Sequence, residues 1–304
     1  MTESTLVAGQ IFNGISVASI LLLAALGLAL SFGLMRVINM AHGEMLMMGG
    51  YVSYLAMSGL GKTVGFPVGL LGAFVVTALV GAFLEVTLIR RLYGRPLDTL
   101  LATWGVSLVL QQAARSIFGP VGVEVTAPDW LSGSLAVGGS ALTGFAIPAV
   151  RVFIIVLAAL VLGGVAYVFA RTPAGLYVRA VHQNRAMAEA LGTNTRLVDL
   201  AVFSLGTGIA GLAGAALALI APVTPTVGQS YIVYAFLVVI VGGLGSLTGT
   251  LLAALLVGLF SALAQIFTSV SFADVLLLVA VIAFIQFRPR GIVTRSSRAL
   301  EAEG

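Results

Sequence analysis

The feature that most constrains this chain is the recurrence of apolar runs long enough to cross a bilayer. At about 1.5 Å per residue, a helix of about 20 apolar residues spans the roughly 30 Å of hydrocarbon. Such runs recur roughly over 9–34, 43–59, 64–90, 98–118, 146–170, 199–221, 231–245, 249–268 and 270–287. They are continuous rather than alternating, which predicts helices and argues against a membrane β-barrel. Charged residues make up 9% of the chain, against about 25% in soluble domains. The expected fold class is an all-α polytopic membrane protein. It forms one transmembrane domain over 1–304 with about 8–9 transmembrane helices and no soluble domain. The opening "MTESTLVAGQ" lacks a basic n-region and the first run is too long for a signal peptide, so it is kept as a span. Runs 43–59 and 231–245 are short and Gly-interrupted, at Gly49-Gly50 and at Gly242-Gly243-Leu244-Gly245. Each is a candidate broken or re-entrant segment.

Basic residues fix the expected orientation. Arg36 follows the first run, and Arg90, Arg91 and Arg95 follow the third. Arg171, Arg179, Arg185 and Arg196 follow the fifth, and Arg288, Arg290, Arg295 and Arg298 follow the ninth. If every run crosses, all of these share one side, which is then cytoplasmic, and only Lys62, Arg115 and Arg151 lie on the other. The N-terminus is expected outside, the C-terminus inside, and the loop of about 119–147 outside.

The same residues exclude several function classes. The net charge of +4 comes from Arg residues beside apolar runs, so nucleic-acid binding is not expected. There is no Cys, hence no disulfide, thiol nucleophile or thiolate metal site. Gly61-Lys62-Thr63 imitates the end of a phosphate-binding loop, but Ala56 stands where that motif needs Gly, so no ATPase is expected on this chain. The two histidines, His42 and His182, are far apart and belong to no metal-ligand pattern, so no metal and no catalytic residue is assigned.

The polar residues inside the runs are few enough to weigh singly. Thr103, Ser107 and Gln111 are spaced by four and form one stripe of a helix, bordered by Trp104 and Arg115. In lipid such a stripe faces protein or water. It is a candidate pathway lining, with interhelical hydrogen bonding as the plainer role. Glu44 opens the second run near its cytoplasmic boundary; a structural or gating role there is preferred over direct substrate contact. Glu85 is expected to reach Arg90 or Arg91. Asp274 is explained by a helix N-terminus, and Gln265 and Gln286 by interhelical bonds.

The densest polar cluster, "RAVHQNRAMAEALGTNTR" (179–196), lies between the fifth and sixth runs. On one helix from Val178 to Leu191, His182, Arg185 and Glu189 share a side, while Ala180, Met187 and Leu191 share the other, with Ala190 at its edge. Gly192 supplies the stop. The plain alternative is a solvated connector.

The longer stretch "GLYVRAVHQNRAMAEALGTNTRLVDLAVFSLGTGIAGLAG" (175–214) resembles the cytoplasmic loop of the branched-chain amino acid (LivH-type) ABC permease family. Two further stretches resemble the same family, "GLALSFGLMRVINMAHGEMLMMGGYVSY" (27–54) and "GGLGSLTGTLLAALLVG" (242–258). "GRPLDTLLATWGVSLVLQQAARSIFG" (94–119) and "IAFIQFRPRGIV" (282–293) are closer to its urea-transporter permeases. The resemblance implies an ABC importer permease bundle with a cytoplasmic coupling loop, here about 171–198. It departs from the general importer pattern in that Gly192 follows Glu189 after three positions.

The resemblance also implies partners. They are two ATP-binding subunits, a second homologous permease and a periplasmic substrate-binding protein, in a bacterial inner membrane. No cofactor sits on this chain, and ATP and Mg belong to the partner ATPases. The coupling residues it implies are Arg179, His182, Arg185, Met187, Glu189, Ala190, Leu191 and Gly192. Arg185 and Glu189 would pair with the ATPase, and Met187 and Leu191 would pack into its groove.

The pathway candidates are Thr103, Trp104, Ser107, Gln111 and Glu44. Hydroxyl and amide groups suit urea, which has one carbonyl acceptor and four N–H donors. The stripe's own run holds no buried carboxylate, which fits a neutral cargo. Together with the resemblance to the urea-transporter permeases, this makes urea or a short amide the expected cargo, with branched-chain or other hydrophobic amino acids as the alternative. An autonomous carrier or channel would need ion-coupling residues at mid-membrane, and an intramembrane enzyme would need a nucleophile and base that cannot be assembled here.

Overall fold

The computed structural model describes residues 3–35, 37–136 and 146–293. Arg36, Arg295, Arg298 and the middle of the 119–147 loop lie outside the described residues.

All nine apolar runs are helices. In chain order these are α1 (Glu3–Met35), α2 (His42–Leu60), α3 (Lys62–Thr87), α4 (Pro96–Phe118) and α5 (Ala149–Arg171). Two short helices follow, α6 (Pro173–Gln183) and α7 (Arg185–Ala190). The chain continues through α8 (Thr195–Leu217), α9 (Val227–Gly242), α10 (Leu247–Phe267) and α11 (Val270–Phe287). Among the described residues, six helices are long and apolar enough to cross a membrane. A small antiparallel pair, Ser134–Ala136 with Ala146–Pro148, lies in the loop before α5. That loop is held to α3 and α5 by Trp130, whose ring meets Phe66 and Phe153.

The bundle is organised around α1 and α8, in which 83% and 72% of the span is buried; in α5 and α11 only 17% is buried. Outer helices can turn Leu, Val and Phe to lipid, because hydrocarbon does not penalise them. Inner helices must instead fit one another, and small residues allow the closest approach. A Cβ placed on Gly27 of α1 would meet the Gly206 carbonyl oxygen of α8. The run of small residues from Gly206 to Gly214 packs α8 against α1, α2 and α3 in the same way.

Helix α2 does not start at the membrane edge. After α1 the chain folds back along it through residues 37–41, with Val37, Asn39 and Ala41 buried. The His42 ring nitrogen Nε2 then lies 3.1 Å from the Ala24 carbonyl. Ala24 is about 6 Å along the axis from Ile20, the middle of the span Val7–Gly33. Helix α9 also starts deep, because Gly228 in its first turn abuts Gly43 of α2. Its 16 residues make about 24 Å, short of a full crossing. A tight turn at 243–246 links it to α10, and there Gly245 abuts Gly33, near the end of α1. Both short, Gly-interrupted runs thus begin near mid-depth and side by side.

Candidate functional site

Two polar clusters occupy different depths. The deeper one is a seam between α2 and α4. The four-residue spacing of Thr103, Ser107 and Gln111 places them on one buried face of α4, together with Thr99 and Ala114. That face is filled by α2. Ser107 Oγ donates to Glu44 Oε1 at 2.9 Å, and Gln111 Nε2 donates to the same oxygen at 2.8 Å and to Ser107 Oγ at 3.2 Å. Ser107 is the middle residue of α4, so Glu44 sits level with the centre of that helix. Its other oxygen, Oε2, is buried with no hydrogen-bond partner among the described residues.

Glu44 is therefore not a boundary residue as the sequence led us to expect. The fold-back of residues 37–41 carries it inward before α2 begins. Thr103 serves that fold-back. Its Oγ1 accepts from the Met40 amide at 3.0 Å while donating to the Thr99 carbonyl at 2.8 Å. Non-helical backbone at membrane depth needs such internal partners. The seam continues outward through Tyr51, stacked on Phe118 at 4.1 Å between ring centres. The structure thus brings Thr103, Ser107, Gln111 and Glu44 together. Trp104 is 48% exposed and points away from the seam.

The run was expected to hold no buried carboxylate; α4 itself carries Asp98, 42% exposed in its first turn. Helix α2 supplies a buried one from outside the run. The sequence signal was an ionisable residue within an apolar segment; its depth was not readable because that depends on where α2 starts.

The shallower cluster lies at the bundle end that carries α6 and α7. The single helix expected over Val178–Leu191 is two helices. Asn184 is extended, at φ −154° and ψ 100°, and its side chain accepts from the Met187 amide, capping α7. Asn is among the best N-caps, and capping there competes with continuing α6. Gly192 ends α7 with φ 86°, a left-handed conformation that favours glycine.

Arg185, expected to pair with an ATPase partner, is 44% exposed but also bonds within the chain. Its Nη2 is 2.7 Å from Asp199 Oδ2 on α8 and donates to Thr195 Oγ1 at 3.1 Å. Its Nε lies 3.5 Å from Glu189, whose Oε1 accepts from Thr195 at 2.6 Å. The guanidinium also sits over the Tyr93 ring, 5.5 Å from its centre. The physical reason is that Asp199 is buried beneath α7 and Arg185 is the cation seated on it. An ion left alone in such a position is costly.

Tyr93, in the α3–α4 turn, donates to Glu85 Oε1 at 3.5 Å. Arg90 grips Glu85 with two hydrogen bonds, at 3.2 and 2.8 Å, which is the pairing expected for Glu85. Burial, reinforced by the Asp199 and Glu85 carboxylates, pushes the Tyr93 hydroxyl well above its ordinary range, so it stays a donor. Asp199, Thr195 and Tyr93 were missed in the sequence. An acidic residue at the start of an apolar run was the available signal for Asp199.

The other candidate coupling residues are exposed, as Arg185 and Glu189 are. Met187 is 58% and Leu191 79% exposed; His182 and Ala190 are exposed, and the Arg179 guanidinium bonds the Phe169 carbonyl. Leu176, Tyr177 and Leu197 add further exposed apolar surface at this end. Elsewhere, Gln265 bonds Ser261 within its own helix α10 at 3.1 Å, rather than a neighbouring helix as expected. Among the described residues, no group of three or more His, Cys, Asp or Glu could hold a metal ion.

Helices that begin in pairs at mid-depth, beside a polar seam, are the build of a membrane transport protein whose pathway runs past broken helices. More specifically, the chain belongs to the family described as branched-chain amino acid transport system / permease component, which matches residues 10–285. It is 30% identical over 297 residues to the high-affinity branched-chain amino acid transport system permease protein BraD of Pseudomonas aeruginosa, covering 94% of this chain and 95% of that protein. It is 28% identical to the permease protein LivH of Escherichia coli over 294 residues, with 94% and 95% covered. A probable branched-chain amino acid transport permease protein LivH of Methanocaldococcus jannaschii is 27% identical, with 90% and 89% covered. No solved structure matches the chain. The chain is a permease subunit and not an enzyme.

Proposed function

We propose that this chain is the membrane subunit of an ATP-driven importer for branched-chain or similarly hydrophobic amino acids. The observation that carries the reading is the near-full-length likeness to permeases named for branched-chain amino acids. It puts amino acids ahead of urea or a short amide. The loop of about 171–198 is cytoplasmic on this reading, the loop of about 119–147 is external, and the N-terminus is outside. Two ATP-binding subunits dock below, a second homologous permease completes the pore, and a periplasmic binding protein delivers substrate above. ATP and Mg stay on the ATPases.

The α2–α4 seam supports an amino-acid cargo. Parting of α2 from α4 would free Glu44 from Ser107 and Gln111 and turn its carboxyl group toward a substrate ammonium group. The N-termini of α2 and α9, side by side at mid-depth, carry the partial positive charge that suits a carboxylate. Met187 and Leu191 pack into the ATPase, with Arg179, His182 and Ala190 around them and Gly192 setting the turn behind.

The test is uptake of labelled leucine and labelled urea by cells with and without this chain. Loss of leucine uptake alone is expected on deletion. Loss of urea uptake alone would reverse the order of substrates. Leucine uptake that persists without the ATPase subunits would remove the importer reading.

A further inference from the structure

The charge cluster around Arg185 is built to hold parts of this chain together. Arg185 opens α7, the short helix whose Met187 is exposed, as is Leu191 just after it. It reaches two other elements at once. One is α8, through Asp199 at 2.7 Å and Thr195 at 3.1 Å. The other is the α3–α4 turn, through the Tyr93 ring at 5.5 Å. Tyr93 in turn bonds Glu85 on α3, which Arg90 grips.

Both receiving elements lead to the centre of the membrane. Helix α8 packs on α1, α2 and α3. Helix α4 starts at Pro96, just after Tyr93, and holds Glu44 through Ser107 and Gln111. Without Arg185, α7 would still be capped by Asn184 and linked through Glu189 to Thr195. It would then have no charged tie to Asp199 and no contact with the Tyr93 ring.

We propose that Arg185 is a positioning residue that turns displacement of α7 into movement of α8 and α4 together, and so couples nucleotide-driven motion to the pathway. The proposal rests on the importer reading for its energy source and extends it to a named intramolecular joint. An ion pair with one buried partner suits a joint. It is strong enough to carry load, and its guanidinium keeps a solvent-facing side from which it can re-form.

The experiment uses the complete transporter in lipid vesicles, with its ATPases and binding protein. Asp199→Asn removes the buried charge that Arg185 grips while leaving Arg185 its Thr195 and Glu189 partners. Expected are normal co-purification of the ATPases, basal ATP hydrolysis within about twofold of the parent, and at least a tenfold fall in substrate imported per ATP. Asp199→Glu, which keeps the charge, recovers part of that ratio. Tyr93→Leu lowers the ratio several-fold with the ion pair intact. Hydrolysis and import falling in proportion would overturn the proposal, because that is the mark of a merely structural role. So would an unchanged ratio in both Asp199→Asn and Tyr93→Leu.

A second readout needs no cargo, so it separates failure of the joint from failure of the substrate assignment. The chain has no Cys, Leu97 at the start of α4 is 76% exposed, and Ala186 on α7, outside the proposed docking surface, is exposed as well. Spin labels on cysteines introduced at those two positions should keep one narrow distance between the nucleotide-free and the vanadate-trapped states. Asp199→Asn should broaden that distance in the trapped state. Equal distance distributions in parent and variant would overturn the joint, whatever the complex imports.

Discussion

The two polar clusters solve the same problem, tying one helix to the next, with different chemistry. At mid-depth, Glu44 is held by neutral donors, Ser107 and Gln111, and among the described residues no cation joins it. At the bundle end that carries α6 and α7, Asp199 is held by Arg185, and Glu85 by Arg90. Depth explains the difference. Charge in hydrocarbon is costly, and one carboxyl group with two fitted donors is a smaller demand than an ion pair. Near water only the cation of each pair keeps a solvated side, Arg185 at 44% and Arg90 at 30% exposure, so the pair can part and re-form from that side although its carboxylate is buried. The deep cluster therefore fixes a conformation until something replaces its donors, whereas the shallow one can yield and re-form as the loop moves.

The largest effect that sharpens this contrast is expected at Glu44. Glu44→Leu leaves the Ser107 and Gln111 donors facing an apolar side chain, a loss of about 1–3 kcal/mol for each unsatisfied group. It also removes the proposed ammonium acceptor. Leucine uptake should fall at least tenfold while the ATPases still co-purify, as a pull-down and a transport assay on the same preparation would report. Uptake within twofold of the parent would make the seam a packing feature only.

Next in size is a double change at the docking surface. Met187→Ser with Leu191→Ser should cut ATPase co-purification several-fold. Because those contacts are apolar, the residual binding should change little between low and high salt. Strong salt dependence would mean that charged side chains dominate docking, contrary to the internal use of Arg185 and Glu189 seen here.

Smaller again is Thr103→Val. It removes the acceptor for the Met40 amide but not the Glu44 bonds, so the cost is about 1–2 kcal/mol of stability. The melting temperature of the purified complex should drop by a few degrees with Km for leucine unchanged. A several-fold rise in Km would return Thr103 to the substrate pathway.

The division between what the sequence reveals and what it hides runs along the same line of depth. Helix positions follow from run length, because a lipid-facing helix has to satisfy its own backbone. The common face of Thr103, Ser107 and Gln111 follows from helical spacing. The Glu85–Arg90 pair is local and was legible for the same reason. Glu44 was visible as an ionisable residue, but its level in the membrane was not, since nothing local encodes a fold-back of residues 37–41. The partners of Arg185 were hidden because Asp199 and Tyr93 lie on other elements that only the folded bundle brings near. The break at Asn184 was open to reading from its capping preference, which outweighed the amphipathic pattern running through it.

The most direct measurement of the central claim is ATP-dependent import by the reconstituted transporter. Vesicles containing this chain with its permease partner, ATPases and binding protein would be loaded with ATP and offered labelled leucine or labelled urea. The account predicts leucine accumulation that requires ATP and is lost with Glu44→Leu, and no accumulation of urea. Accumulation of urea alone, or leucine entry at the same rate without ATP, would contradict it.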